Sequence, residues 1–286
     1  MPELPEVEIV KQSLIKKVRG HKINEVRVFN KNLRFKLQNG FEKFLKNQKI
    51  LNISRKSKYI IFHFQKEKFC LMHLGMSGTL HVINKKKKLF TNLSFYHSKS
   101  LPKKHNHIEF YISNFKLVYN DPRRFGFFRL IKSKKELRNY FKPYEPGALD
   151  KGFNINYLNQ KLKNKTKNIK NLLIDQYFVS GIGNIYASEI LHYSKINPNK
   201  KALKIKFKEM KNIVKFTNFV LKKAIKKGGS SIRNFKNLKG TDGNFQKEFK
   251  VYNREKQKCL REKCNGVIKK VIIGNRSTFY CNICQK

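Results

Sequence analysis

Four cysteines near the end of the chain restrict its fold more than any other feature. Cys259, Cys264, Cys281 and Cys284 stand in two close pairs, and the intervening VIKKVIIGNRSTFY reads as strand, Gly-Asn turn, strand. Two thiolate pairs brought together by a hairpin suit one tetrahedral zinc ion, held structurally. Disulfides are disfavoured in a reducing compartment, and a unit this short cannot bury a sufficient core, so the metal supplies its folding free energy. Arg276 follows the turn, at the end of the hairpin remote from the metal. The fifth cysteine, Cys70, lies among apolar residues and reads as a small core side chain.

The rest of the 286 residues suffice for two modest domains or one large one. Pro5 suits a first helical turn, and Val7, Val10, Leu14 and Val18 follow at three- and four-residue steps, predicting a helix to Arg19-Gly20. From Lys22 to Leu130 the pattern changes to short β-rich runs such as KINEVRVF, KYIIFHF, GTLHVI, HIEFYI and FKLVY, which predict an antiparallel sandwich or barrel. NKKKKLF and SKSLPKK read as exposed loops. Pro143, Pro146 and Gly147 mark a linker, beyond which the chain becomes helical. Its clearest helix places Phe207, Met210, Ile213, Val214, Val220, Leu221 and Ile225 on one face and stops at Gly228-Gly229. The expectation is an α+β chain with a sandwich domain over 1–130, a linker over 131–150, a helical domain over 151–250 and a zinc finger over 251–286.

Charge indicates the partner. Lys and Arg number 65 against 18 Asp and Glu, a formal net charge of +47. Part of this excess is a solvated lysine coat; the remainder points to a polyanion, nucleic acid first. The 40% apolar content argues against a disordered basic tail. The start is acidic and proline-bearing, unlike a secretory leader, and no run has the apolar length of a membrane span. A monomer in the cytosol is the expectation.

Several turns carry chemistry. In FVSGIGNIYASEI, Gly181-Ile182-Gly183 leads to Asn184 at a helix start, where free N–H groups can bind phosphate; a plain helix corner is the other reading. DPRRFG, residues 121–126, and HLGMSG, residues 73–78, offer arginines and exposed Met or Phe wedges, or else ordinary tight turns. In KKHNH, His105 and His107 suit phosphate better than metal.

The start, MPELPEVE, has two readings. One is a proline-started, capped helix. The other is a nucleophile: without Met1, Pro2 has a free α-amine, and such amines titrate at about 8 rather than the about 10.4 of lysine. A secondary amine attacking an aldehydic carbon gives an iminium that is cationic without a proton, and so acts as an electron sink. Glu3 can then pass protons and Glu6 can position them.

With PELPEVE, SKYIIF, HLGMSG, DPRRFG, GIGNIYASE and the terminal cysteine hairpin in that order, the chain resembles the bacterial formamidopyrimidine-DNA glycosylases over essentially its full length. The resemblance implies an N-terminal β-sandwich with a leading helix, then a helical domain with a helix–two-turns–helix element and a zinc finger, with double-stranded DNA as partner. It matches Pro2 to the Schiff-base nucleophile, Glu3 to the general acid, Lys58 to β-elimination and Arg276 to δ-elimination. His105, Arg123, Lys165 and Asn184 match DNA contacts. Met76, Arg123 and Phe125 match the trio that fills the gap left by an extruded base. The implied activity is that of a bifunctional glycosylase and abasic-site lyase acting on formamidopyrimidines and 8-oxoguanine.

Two departures stand out. Four residues separate the first cysteine pair where two are commoner, and the linker reads KPYEP rather than Gly-Pro-Glu-Pro. The lesion-covering loop is expected within GGSSIRNFKNLKGTDGNF. The rival readings are an endonuclease VIII-like enzyme for oxidised pyrimidines, and a non-catalytic zinc-ribbon nucleic-acid binder.

Overall fold

The computed structural model describes residues 2–84, 90–93, 103–230 and 244–286. Most of NKKKKLF, most of SKSLPKK and the greater part of the expected lesion-covering loop lie outside these residues. Contacts divide the chain into two compact units, Met1–Lys142 with Lys227–Gln246, and Pro143–Lys226 with Lys247–Lys286.

In the first unit, helix α1 (Leu4–Val18) leads into β1 (Ile23–Val28), α2 (Phe41–Leu45), β2 (Asn52–Lys56), β3 (Tyr59–His63), β4 (Phe69–His73), β5 (Thr79–Asn84), β6 (Phe90–Leu93), β7 (Asn106–Ile112), β8 (Phe115–Asn120), β9 (Phe127–Ile131) and α3 (Lys134–Phe141). The strands form two sheets, β1-β7-β8-β5-β6 and β2-β3-β4-β9. Every pairing is antiparallel. Apolar side chains from both sheets meet: Phe110 of β7 lies 6.1 Å from Phe128 of β9, centroid to centroid, and Tyr119 of β8 lies 5.0 Å from it. Cys70 joins Ile23, Phe62, Ile112 and Leu117 around a small apolar space in this core. Burial pushes its thiol pKa far up, as expected of a core cysteine.

Helix α1 starts at Leu4, with Pro5 in its first turn, and ends at Val18 with Arg19 as its C-cap. Its apolar stripe, Val7, Val10, Leu14 and Val18, is buried. Arg55 of β2 holds its outer side through Glu8, Nε to Oε2 2.7 Å. Burial works to raise the Glu8 pKa, but the Lys11 and Arg55 hydrogen bonds prevail and lower it.

Two expectations about boundaries meet a different geometry. The stretch 131–150 carries α3, whose Phe141 is buried and packs edge-on against Tyr59 at 5.3 Å. Residues 227–246 group with the sandwich rather than with the helices, because Ser230 binds Glu6. Sequence periodicity cannot show such a return, since Ser230 meets Glu6 through polar bonds between residues 224 apart.

The second unit contains α4 (Ile155–Leu162), α5 (Ile169–Ile174), α6 (Asn184–Ser194), α7 (Phe207–Lys226), and the hairpin β10 (Ile268–Ile273) and β11 (Arg276–Cys281). Helix α6 is buried along most of its length and packs against α5, α7 and β11. Among the described residues, no helix is long and apolar enough to cross a membrane.

Candidate functional site

In the sandwich unit, Pro2 and Glu3 sit buried at the head of α1. Glu3 and Glu6 form a capping box, in which Glu3 N–H donates to Glu6 Oε2 at 2.9 Å. The other Glu6 oxygen accepts from both N–H and Oγ of Ser230, each at 2.9 Å. Glu6, 3% exposed, therefore fixes the start of the chain to a segment 224 residues later. The first reading of MPELPEVE is what the geometry displays: the helix is proline-started and capped, and the cap holds Glu3 in place.

Lys58 follows the tight β2–β3 turn at Ser57 and is 4% exposed. Its charge acts on His73, whose pKa falls to about 4 through burial first, then through Lys58 and Arg34. His73 is thus neutral near pH 7, and its Nδ1 accepts Gly75 N–H at 3.0 Å, shaping the HLGMSG turn.

That turn and DPRRFG are joined by Asp121, which is fully buried. Asp121 Oδ1 accepts from Ser77 Oγ, and also from Arg123 N–H at 3.3 Å. Oδ2 accepts from Tyr119 Oη at 3.0 Å and Gly126 N–H at 2.8 Å. Burial, then the Asp121 charge, raises the Tyr119 pKa well above 10, so the phenol stays a donor. The two turns touch so closely that a Cβ on Gly75 would lie 2.3 Å from the Phe125 carbonyl carbon, and one on Gly126 1.9 Å from Tyr119 Oη. Met76 and Phe125 remain 41% and 39% exposed, large for apolar side chains in such rigid turns. The Arg123 guanidinium stacks over the Phe125 ring, 4.6 Å from its centroid. Arg34, Arg123 and Arg124, with Asn32, Leu33 and Phe125, line an open cleft of about 590 Å³. Three arginines around one cleft give it the field an anionic backbone seeks.

His105 is half-buried beside this network, its carbonyl accepting Asp121 N–H at 3.0 Å. His107 departs from expectation. It is 4% exposed and its Nε2 lies 2.8 Å from the Asp121 carbonyl, so its ring braces the turn instead of meeting phosphate. Its place at the register shift between Asn106 and Ile108, where β7 pairs with β8 beside the Asp121 turn, accounts for this.

In the helical unit, Gln176 braces the GIG turn by accepting Gly181 N–H at 3.0 Å and donating to the Ile174 and Ile182 carbonyls, each at 2.8 Å. Asn184 opens α6. Its Oδ1 accepts from Lys170 Nζ at 2.6 Å and its Nδ2 donates to the Ser277 carbonyl at 2.8 Å. The side chain expected to contact DNA thus also anchors β11. Lys170 is fully buried and donates a second hydrogen bond to Thr278 Oγ1 at 2.5 Å. Thr278 in turn donates to the Arg276 carbonyl at 3.1 Å. Arg276 itself is exposed, beside the positive-φ turn Gly274-Asn275. Lys165, in the loop after α4, is exposed, its carbonyl accepting Leu203 N–H at 3.1 Å.

The four cysteines converge. Their sulfurs all lie within 4.8 Å of one another and could hold a metal ion. The Cys259–Cys284 and Cys264–Cys281 separations are 3.9 and 3.7 Å. A tetrahedral metal with sulfur bonds of about 2.3 Å needs sulfurs about 3.8 Å apart, so the donor set fits. Val251, Ile268 and Phe279 pack beside the sulfurs as a small apolar cluster. Buried Glu189 ties this cluster to α6 by accepting the Lys250, Val251 and Tyr252 N–H groups at 2.9, 3.0 and 2.9 Å.

Asp121, Lys170, Glu189 and Ser230 escaped sequence reasoning. Asp121 had a signal, since an Asp preceding Pro commonly accepts from the turn it begins. The others had none, because their partners are remote in sequence.

A β-sandwich led by an N-terminal proline helix, with a helical unit carrying a four-thiolate hairpin, defines a two-unit α+β class. The chain matches the formamidopyrimidine-DNA glycosylase N-terminal domain over residues 1–128 and the formamidopyrimidine-DNA glycosylase H2TH domain over residues 145–236. The formamidopyrimidine-DNA glycosylase of Rickettsia bellii strain OSU 85-389 is 39% identical over 289 residues, covering 100% of both chains. A glycine-to-proline variant of Lactococcus lactis Fpg, in complex with Fapy-dG-containing DNA, superposes with a TM-score of 0.87 at 32% identity over 100% of both chains. The same scores and coverage hold for Lactococcus lactis Fpg in complex with abasic-site DNA. The chain belongs to the formamidopyrimidine-DNA glycosylase family.

Proposed function

We propose that the protein is a bifunctional DNA glycosylase and abasic-site lyase of base excision repair, with oxidised purines in duplex DNA as substrates. The observation that carries the reading is the head of α1, where Glu6 holds Glu3 and Pro2 buried and fixed, in a chain of this family. A capping box alone would not call for a proline that becomes the first residue once Met1 is removed.

In this reading the damaged nucleotide is flipped out, at a stacking cost that is least for damaged pairs; glycosylases are among the general examples of such flipping. Met76, Arg123 and Phe125 fill the gap, and His105, Arg123, Lys165 and Asn184 engage the DNA backbone. The Pro2 nitrogen attacks the sugar C1′, and the bond to the base breaks, its electrons leaving with the base. Glu3 protonates the ring oxygen, the sugar opens, and an iminium forms between Pro2 and C1′. Loss of a C2′ proton, assisted by Lys58, expels the 3′ phosphate. A second elimination, assisted by Arg276, expels the 5′ phosphate. Water then releases Pro2.

The cysteine cluster holds one structural zinc per chain, which fixes the hairpin carrying Arg276 and takes no part in bond breaking. The protein acts as a monomer in the cytosol, on chromosomal DNA.

Borohydride trapping tests the assignment. Native protein should cross-link to an 8-oxoguanine duplex through Pro2, and protein with Met1 retained or an N-terminal tag should bind but not cross-link. Equal trapping with a blocked N-terminus would falsify the Pro2 role. Competing duplexes carrying oxidised pyrimidines decide the substrate: preference for these would favour the endonuclease VIII-like reading.

A further inference from the structure

His192 lies in the last turn of α6, is 3% exposed, and faces the cysteine cluster. Its Nε2 is 3.6 Å from Cys259 Sγ and 4.0 Å from Cys284 Sγ, and so lies over the edge between those two sulfurs. Both separations suit an N–H donor to sulfur, and four thiolates already complete a tetrahedral metal shell. A metal-bound thiolate can only accept, so the ring hydrogen belongs on Nε2. Nδ1 has no hydrogen-bond partner among the described residues, so nothing competes for the other tautomer.

The lengthened first knuckle, Cys259 to Cys264, adds a cation. Its Arg261 turns back onto α6, donating from a terminal nitrogen to the His192 carbonyl at 2.6 Å, and its guanidinium favours the Cys284 thiolate. The two extra residues in this knuckle thereby gain a physical role: they let a guanidinium reach the end of α6.

We propose that His192, as an N–H donor, and Arg261, as the cation that anchors its end of α6, form an outer shell that protects the metal-bound sulfurs of Cys259 and Cys284 from electrophiles and oxidants. A thiolate lone pair engaged by an N–H is a poorer nucleophile, and the two groups offset part of the charge of a four-thiolate site. Four thiolates on a divalent ion leave two net negative charges, and a cation and an imidazole N–H are placed at one edge of that shell. Cys264 lies on the opposite edge and is partly exposed, whereas Cys281 is fully buried, so the protection is uneven and the first sulfur to react is predicted to be that of Cys264.

This inference rests on the zinc reading, and the test separates the two. Zinc content of wild type, H192L and H192Q is measured first, then zinc release to a chromogenic chelator under N-ethylmaleimide or hydrogen peroxide. All three should carry one zinc. H192L should release it about tenfold faster, within the range that loss of an outer-shell partner produces. H192Q, whose amide N–H reaches the same sulfurs, should stay near wild type. In cobalt-substituted protein, H192L should shift the sulfur-to-metal charge-transfer band while keeping the four-sulfur ligand-field pattern. Equal release from wild type and H192L, or H192Q as fast as H192L, overturns the inference. So does a changed ligand-field pattern, which would make His192 a ligand. Wild type without zinc overturns the zinc reading together with this one.

Discussion

Replacing Asp121 by Asn keeps the shape of the side chain and leaves one acceptor oxygen where four donors now converge. The cheaper amide orientation keeps the oxygen toward Tyr119 and Gly126, since the Gly126 N–H cannot turn away. The new NH₂ then faces Ser77, whose hydroxyl can rotate to accept, and Arg123 N–H, which loses its 3.3 Å bond to Asp121 but keeps Ser77 Oγ at 3.2 Å. Two bonds to a charged acceptor become bonds to a neutral one, a loss of about 1 kcal/mol each, giving about 2 kcal/mol. For a unit of this size that lowers the melting temperature by about 4–8 °C. The turns bearing Met76, Arg123 and Phe125 lose their common anchor, so affinity for an abasic-analogue duplex should fall about tenfold, from the positional precision such contacts need. Circular dichroism melting and fluorescence anisotropy would measure both. Tyr119→Phe removes one donor and should cost only about 1 kcal/mol. An Asp121→Asn protein that melts within about 2 °C of wild type and binds equally well would refute the idea that one carboxylate organises both turns.

Glu6→Ala should reduce the borohydride trapping rate about 10- to 100-fold, because Glu3 and Ser230 lose their common acceptor and Pro2 loses its fixed position; single-turnover trapping on a preformed abasic site checks this. Lys170→Met fills the buried volume but releases Asn184 and Thr278, and should raise hydrogen exchange in β11 while slowing the second elimination more than the first, as read from the ratio of the two cleavage products. Cys281→Ser should lose stoichiometric zinc and most duplex affinity while the helical circular dichroism signal persists; full affinity in zinc-free protein would dissociate the metal from DNA binding.

The parts of this fold that were legible in sequence are those governed by short-range rules. The stripe Val7, Val10, Leu14 and Val18 predicted α1 within a residue at its C-terminal end, and the α7 stripe ended at its glycine pair as expected. The paired cysteines and the Gly-Asn turn predicted the hairpin. What was illegible depends on polar groups buried against distant partners. Glu189 reads as one more charge on a helix until its three backbone donors, some sixty residues later, come into view. Lys170 is one lysine in a lysine-rich chain, yet it is fully buried between Asn184 and Thr278. His107 shows the converse: it read as a surface contact by its company of lysines, and its bond to the Asp121 carbonyl, fourteen residues on, buries it.

The bond between Glu6 and Ser230 also sets a clock on biosynthesis. At about 5–20 residues per second, roughly 10–45 s pass between the emergence of the first partner and that of the second. Throughout that interval the first eight residues lack the contact that holds them in place, and the enzymes that process a nascent N-terminus have unobstructed access to Met1. A chain cut short before residue 230 would carry a trimmed proline but no brace for it. If Pro2 is the nucleophile proposed above, its amine is braced only in a chain that has been made nearly to its end.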